Sequence, residues 1–227
     1  MPDGRTSRGE CAYCGHETSK GGMTRHLIGC PARKQAIATA EQGKGQTETL
    51  YHLRVQDAYS PVFWLDLEVR GSATLQALDN YLRAIWLECC GHLSQFSIGG
   101  WRGDEISMRR RIASVFDPGM EVTHIYDFGT SSETRIKMVN TREGKPTTKH
   151  PIALMARNLL PEAVCIKCGK PATRLCLECI YEEQTEGWLC EAHARRHPHD
   201  NYGEPLPIVN SPRLGMCGYD GPATPPY

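Results

Sequence analysis

The chain predicts an α+β fold: a central mixed-sheet domain with one main amphipathic helix, and small zinc-binding modules at both ends. Three observations predict it. Runs such as TLYHLRVQ and VFWLDLEV have the alternation and the β-branched and aromatic content of strands. One stretch alone has clear helical periodicity, with Leu75, Leu78, Leu82, Ile85 and Trp86 forming a single apolar stripe. Eight of the 11 cysteines gather at the two ends, leaving Cys89, Cys90 and Cys217 apart.

The bulk composition limits the function classes. Of the 227 residues, 26 are Lys or Arg and 26 are Asp or Glu, so no net charge draws the whole chain to nucleic acid or membrane. The N-terminus, MPDGRTSRGE, lacks the apolar run of a secretory signal. VFWLDLEV is interrupted by charges far short of the ~20 residues a membrane helix needs. The expected location is the cytoplasm, where clustered cysteines act as metal ligands rather than as disulfides.

Residues 9–34 carry C-x2-C-x11-H-x3-C, with Cys11, Cys14, His26 and Cys30 as zinc ligands. Gly15 allows the left-handed turn that aims backbone N–H groups at the sulfurs. His26 and Cys30 share a helix face, and Met23 and Leu27 pack beneath the knuckle. Pro31 discourages the helix from passing Cys30. The set resembles three-cysteine, one-histidine zinc fingers. Lys20, Arg25, Arg33 and Lys34 could touch phosphate, giving weak, non-specific nucleic-acid binding through this finger.

Residues 35–48 read as a linker, helical at its Ala-rich start, and 49–142 as the α+β domain. In that domain Thr74 caps the helix, Gly91 stops it, and Asp79 pairs with Arg83 on its outer side. FSIGG, MEVTHIYDFG and TRIKMVN supply further strands, with SMRRRIASVFDPG a short helix or extended arm between them. Residues 143–163 form a linker in which IALMA is a candidate last strand, and 202–227 an irregular Pro/Gly-rich tail.

Residues 164–201 carry C-x2-C-x7-C-x2-C-x10-C-x2-H-x3-H-x-H: Cys165, Cys168, Cys176, Cys179, Cys190, His193, His197 and His199. Eight ligands in four pairs suit two tetrahedral zincs. The segment resembles a B-box-like cross-braced module, although its x10 gap is longer than that pattern. The resemblance implies one zinc on Cys165, Cys168, Cys190 and His193, and a second on Cys176, Cys179, His197 and His199. Pro198 makes the last two histidines a tight chelate, with Asp200 as an alternative ligand. Leu175, Leu177, Ile180, Trp188 and Leu189 give a core too small to stand without metal. The expected content is about three Zn2+ per chain, all structural because no coordination position stays open.

VFWLDLEVRGSATLQALDNYLRAIWLECCGHLSQFSI and FDPGMEVTHIYDFG resemble segments of the Ri-plasmid Orf-three-like proteins, mainly through Trp86, His92, Leu93, Phe96, Tyr126, Asp127, Phe128 and Gly129. The resemblance implies a compact α+β domain of bacterial and mobile-element proteins, without a settled activity. Here Trp64 precedes Leu65 instead of an arginine, and YDFG runs into TSSET. The whole architecture looks like a family of uncharacterised prokaryotic zinc-finger proteins.

The function expected is a zinc-binding, non-enzymatic interaction protein, regulatory or associated with a mobile element. One alternative is a nucleic-acid-binding regulator acting through the finger. Another is an enzyme using a cleft around His92 and Asp127 as an acid–base pair. Against the enzyme, His92 can offset a helix dipole and Asp127 can bond a turn. Cys89 and Cys90 are either redox-active or small buried hydrophobes. Residues 1–34 hold six basic side chains against three acidic; the C-terminal module holds five against six and is expected to meet protein through Trp188 or Tyr181.

Overall fold

The computed structural model describes residues 7–227. Asp3 and Arg5, counted above in the N-terminal charge, lie outside the described residues. The fold is α+β, built on one nine-stranded sheet in the order β2-β1-β9-β4-β3-β8-β7-β5-β6. Its strands are β1 (Arg8–Cys11), β2 (Glu17–Ser19), β3 (Glu48–Asp57), β4 (Trp64–Arg70), β5 (Ser94–Ile98), β6 (Asp104–Ile106), β7 (Glu121–Tyr126), β8 (Ser132–Gly144) and β9 (Ile152–Asn158).

The sheet is antiparallel throughout, not mixed. The helical crossover that could have made a parallel pair runs from β4 to β5, and these strands are separated by three others. A crossover yields a parallel ladder only where its strands are neighbours.

That crossover is α3 (Leu75–Leu82), continued by a π-helical turn at Arg83–Leu87. Thr74 caps it, its side chain accepting from the Ala77 amide at 3.3 Å. Leu75, Leu78, Leu82, Ile85 and Trp86 are all fully buried against sheet residues such as Leu53, Leu67, Phe96, Val122 and Ile136. Asp79 is a correction to the sequence reading. It faces inward, 1% exposed, and binds Arg83 at 2.9 Å, His124 of β7 at 2.8 Å and Ser94 of β5 at 2.6 Å. With Gln76 Nε2 at 3.2 Å, four donors satisfy a carboxylate that burial would otherwise penalise.

The sheet also outruns the expected 49–142 domain on both sides. β9 lies between β1 and β4, pairing Cys11 with Ala156 and Val69 with Ile152. Residues 143–163 therefore supply an interior strand, and the N-terminal finger grows out of the sheet instead of hanging from it. Trp64, Cys11, Met23, Leu27, Cys30, Met155 and Ala156 form one buried cluster at this joint. Gly9 is required there, since a Cβ would come within 2.3 Å of the Trp64 ring and 2.4 Å of the Arg157 carbonyl.

The expected 35–48 linker is largely helical. α1 (Lys20–Gly29) ends before Cys30, and Pro31 opens a second helix, α2 (Pro31–Gln42). Proline stops one helix and starts the next because its fixed φ and missing N–H suit a first helical position.

The C-terminal module has short strands β10 (Arg174–Leu175), β11 (Trp188–Leu189) and β12 (Leu206–Pro207), with one-turn helices α4 (Leu177–Tyr181) and α5 (Glu191–Ala194). The tail then returns to the large sheet. Ser211 bonds the Trp86 carbonyl at 2.6 Å, and Tyr227 stacks on His150 at 3.9 Å.

Candidate metal centres

Twelve cysteine and histidine side chains converge into three groups of four, each with its ligand atoms within 4.8 Å of one another. The first is Cys11, Cys14, His26 and Cys30; the second Cys165, Cys168, Cys190 and His193; the third Cys176, Cys179, His197 and His199.

Local backbone chemistry positions them. In the finger, Cys11 ends β1, and the Cys14 and Gly15 amides turn back to the Cys11 carbonyl at 3.4 and 2.8 Å, with Gly15 at φ +69. Residues 165–169 repeat this turn: Cys168 and Gly169 bond the Cys165 carbonyl at 3.3 and 2.8 Å, and Gly169 also sits at φ +69. The left-handed residue closing each knuckle has to be glycine to escape Cβ strain. His26 is carried by α1, which Ser19 caps by accepting from Gly22 at 3.2 Å. Cys176 and Cys190 stand at the N-caps of α4 and α5, so Cys179 and His193 follow one turn later.

The spacings fit a tetrahedral ion. Zinc–sulfur bonds of ~2.3 Å and zinc–nitrogen bonds of ~2.05 Å place ligand pairs about 3.8 Å apart for S···S, about 3.5 Å for S···N and about 3.3 Å for N···N. The S···S contacts Cys14–Cys30 and Cys168–Cys190 are 3.7 and 3.8 Å. The S···N contacts run from 3.2 Å at Cys179–His197 to 3.7 Å at Cys176–His199. His197 Nε2 and His199 Nδ1 lie 3.0 Å apart. Using different ring nitrogens lets two histidines flanking one proline reach the same point. Glu183 then takes the other nitrogen of His199 at 3.2 Å, a carboxylate behind a ligand histidine. Asp200 is in none of the groups.

Without a metal these thiols differ widely. Burial pushes Cys11 to about 11 and Cys179 to about 12. At Cys165 the same effect is outweighed by backbone N–H groups and His193, which bring it down to about 6. An ion must therefore expel protons from the first two.

His92 and Asp127 do meet, at 3.5 Å, but Asp127 is already engaged. It accepts from Arg213 Nη2 at 2.6 Å and from the Gly129 and Thr130 amides at 2.9 and 3.2 Å. Burial alone would raise its pKa, yet these donors hold it at about 2, too low for a general base near neutrality. Two surface hollows lie away from it: about 610 Å³ between α2 and the loop 145–149, and about 360 Å³ beside Gly71 and Arg111.

Arg213 was not legible in the sequence. It is 0% exposed, and its guanidinium lies 4.8 Å from the centre of the Tyr126 ring, which also carries Arg83 at 4.7 Å. Cys89, Cys90 and His92, and separately His92, Asp127 and Cys217, also fall within 4.8 Å. There the Arg213 guanidinium already supplies the positive charge, touching Cys89, Cys217 and Asp127.

Two of the four expected phosphate contacts are spent internally. Lys20 bonds Gln56 and the Pro61 carbonyl; Arg33 bonds Glu68 at 3.3 Å and the Leu27 carbonyl at 3.1 Å. Arg25 and Lys34 stay exposed. No helix among the described residues is long and apolar enough to cross a membrane.

These features define the class: an α+β chain with three cysteine/histidine clusters able to hold metal. No protein-family profile matches the chain, and no curated protein does. A crystal structure of a protein of unknown function from Methanosarcina mazei Go1 is similar in part, at 19% identity and a TM-score of 0.40. The match covers 46% of this chain and 66% of that one, just under two thirds of its length.

Proposed function

We propose that this is a cytoplasmic zinc protein with three structural ions, whose role is to present rigid surfaces to a macromolecular partner, and that the partner is a protein. The observation carrying this reading is the closure of all three ligand sets. Each offers four sulfur or nitrogen atoms at tetrahedral spacing, so no position remains for substrate or activated water. Exposed aromatics next to the closed sites supply contact area: Tyr181 packs against Tyr202 at 5.6 Å, and both remain open to solvent. Trp188, expected to share this role, is half-buried.

A protein partner is favoured over nucleic acid because Lys20 and Arg33 are held by neighbouring groups. The second reading, weak nucleic-acid binding through the finger, rests on exposed Arg25 and Lys34. The enzyme reading loses its base to Arg213.

Native mass spectrometry of the reduced, folded chain should give three zincs, and a pull-down from the host should capture partners unaffected by nuclease. One zinc or none would sink the metal assignment. Capture abolished by nuclease would sink the protein partner and favour the finger reading.

A further inference from the structure

We infer that Cys89 and Cys217 form a redox pair that a hydroperoxide converts to a disulfide, tying the C-terminal tail to the end of the central helix. Both sulfurs touch one atom. Arg213 Nη2 lies 3.4 Å from Cys89 Sγ and 3.4 Å from Cys217 Sγ, so the thiols are separated by no more than the sum of those contacts. Their surroundings are built, not incidental. Arg213 is fully buried, bonded to Asp127, the Thr130 carbonyl and Ser132, and stacked on Tyr126. Asp127 and Cys217, which flank it, are non-glycine residues held at φ 66 and φ 50. Left-handed backbone at such residues persists only where the surroundings enforce it, and it concentrates at functional sites.

The two cysteines have different roles. Cys89 is half-buried, receives a hydrogen bond from Arg213 Nη2, and lies 3.8 Å from the Tyr126 hydroxyl. Burial would raise its thiol, but hydrogen bonding with Arg213, Tyr126 and Cys90 brings it below its ordinary value, favouring the thiolate. Cys217 is exposed, and its thiol is shifted the other way, first by desolvation. Cys89 is thus the attacking sulfur and Cys217 the resolving one.

The Cys89 thiolate attacks the terminal oxygen of the hydroperoxide. An S–O bond forms, the O–O bond breaks, and the departing oxygen takes a proton to leave as an alcohol, or as water from hydrogen peroxide. Cys217 sulfur then attacks the sulfenic sulfur; its proton leaves with the hydroxyl as water, and the S–S bond forms. Two thiols lose two electrons, and the hydroperoxide gains them. The ligand cysteines are spared while their thiolates are bound to metal. Cys90 Sγ also lies within 4.8 Å of Cys89 Sγ, but Cys217, in the short 3-10 helix Met216–Gly218, is the cysteine that shares Arg213 Nη2 with Cys89.

The test uses full-length, zinc-replete protein treated with one equivalent of hydrogen peroxide near neutral pH, alkylated, and mapped without reduction. The expected result is a Cys89–Cys217 cross-linked peptide with all zinc retained. Cys217→Ser, at an exposed position, should accumulate a dimedone-trappable sulfenic acid at Cys89. Cys90→Ser should leave the cross-link unchanged. Cys89→Ser should slow thiol loss roughly tenfold. A Cys89–Cys90 link, oxidation of the zinc ligands before Cys89, or an additional metal ion lost on Cys217→Ser would each overturn the inference. The zinc count can fail independently of this outcome, so the two readings are separable.

Discussion

Asp57, at the end of β3, is a carboxylate whose burial contributes a stability penalty at neutral pH that is absent in mild acid. It is 5% exposed, and its Oδ2 accepts from the Tyr59 and Ser60 amides at 3.1 and 2.6 Å. Burial pushes its pKa from 3.8 to about 6; the two amides pull the other way, and Glu133 adds to the rise. The folded carboxyl therefore holds its proton more tightly than the unfolded one. The Asp57 contribution to stability falls as pH rises from 3.8 through about 6 and is flat above that. A rise of that size corresponds to about 3 kcal/mol of penalty on the ionised form. Asp57→Asn keeps an acceptor for the turn and removes the charge. It should stabilise the fold by about 2–3 kcal/mol at pH 8, and the gain should shrink to about half near pH 5. Urea unfolding of both proteins, followed by far-UV circular dichroism in zinc-containing buffer, measures the difference, and metal effects common to both cancel. A variant less stable than the parent at pH 8, or a difference that does not change with pH, would refute the reasoning.

Two further outcomes follow from the joint and the metal sites. Gly9→Ala should cost about 1–3 kcal/mol, because the new methyl must displace the Trp64 ring and the Arg157 backbone, and calorimetry should register the loss even in excess zinc. Cys176→Ser should lower the metal content by one ion while the other two clusters keep theirs, since the three share no ligand; elemental analysis after dialysis checks the count.

Features encoded by neighbours in sequence could be read in advance. The apolar stripe of α3 is legible because one helix face meets one sheet, and Leu75 to Trp86 record that contact at helical spacing. The knuckles are legible because CxxCG states its own turn. What depends on distant partners was hidden. Asp79 looked like half of an exterior ion pair because its spacing to Arg83 is visible, whereas His124 and Ser94 are 45 and 15 residues away. IALMA was ambiguous because a short apolar run does not say which strands it will lie between, so the interior place of β9 could not be derived. Arg213 sits in a Pro/Gly-rich tail and finds Asp127 86 residues earlier, a pairing with no local signature. The sheet direction was missed for a similar reason: strand order decides whether a crossover makes a parallel pair, and order is a property of the assembled sheet.

The position of β9 has a consequence for how the protein is made. Strand β1 can pair with its interior neighbour β9 only after residue 158 has been synthesised. During translation, α1 and the first knuckle must wait, with Trp64 and Met23 uncovered, while almost the whole of the large sheet emerges. Early capture of an ion by Cys11, Cys14, His26 and Cys30 would keep that segment compact until its docking strand arrives. A metal held there would act as a holding clamp in the nascent chain as well as a brace in the finished one.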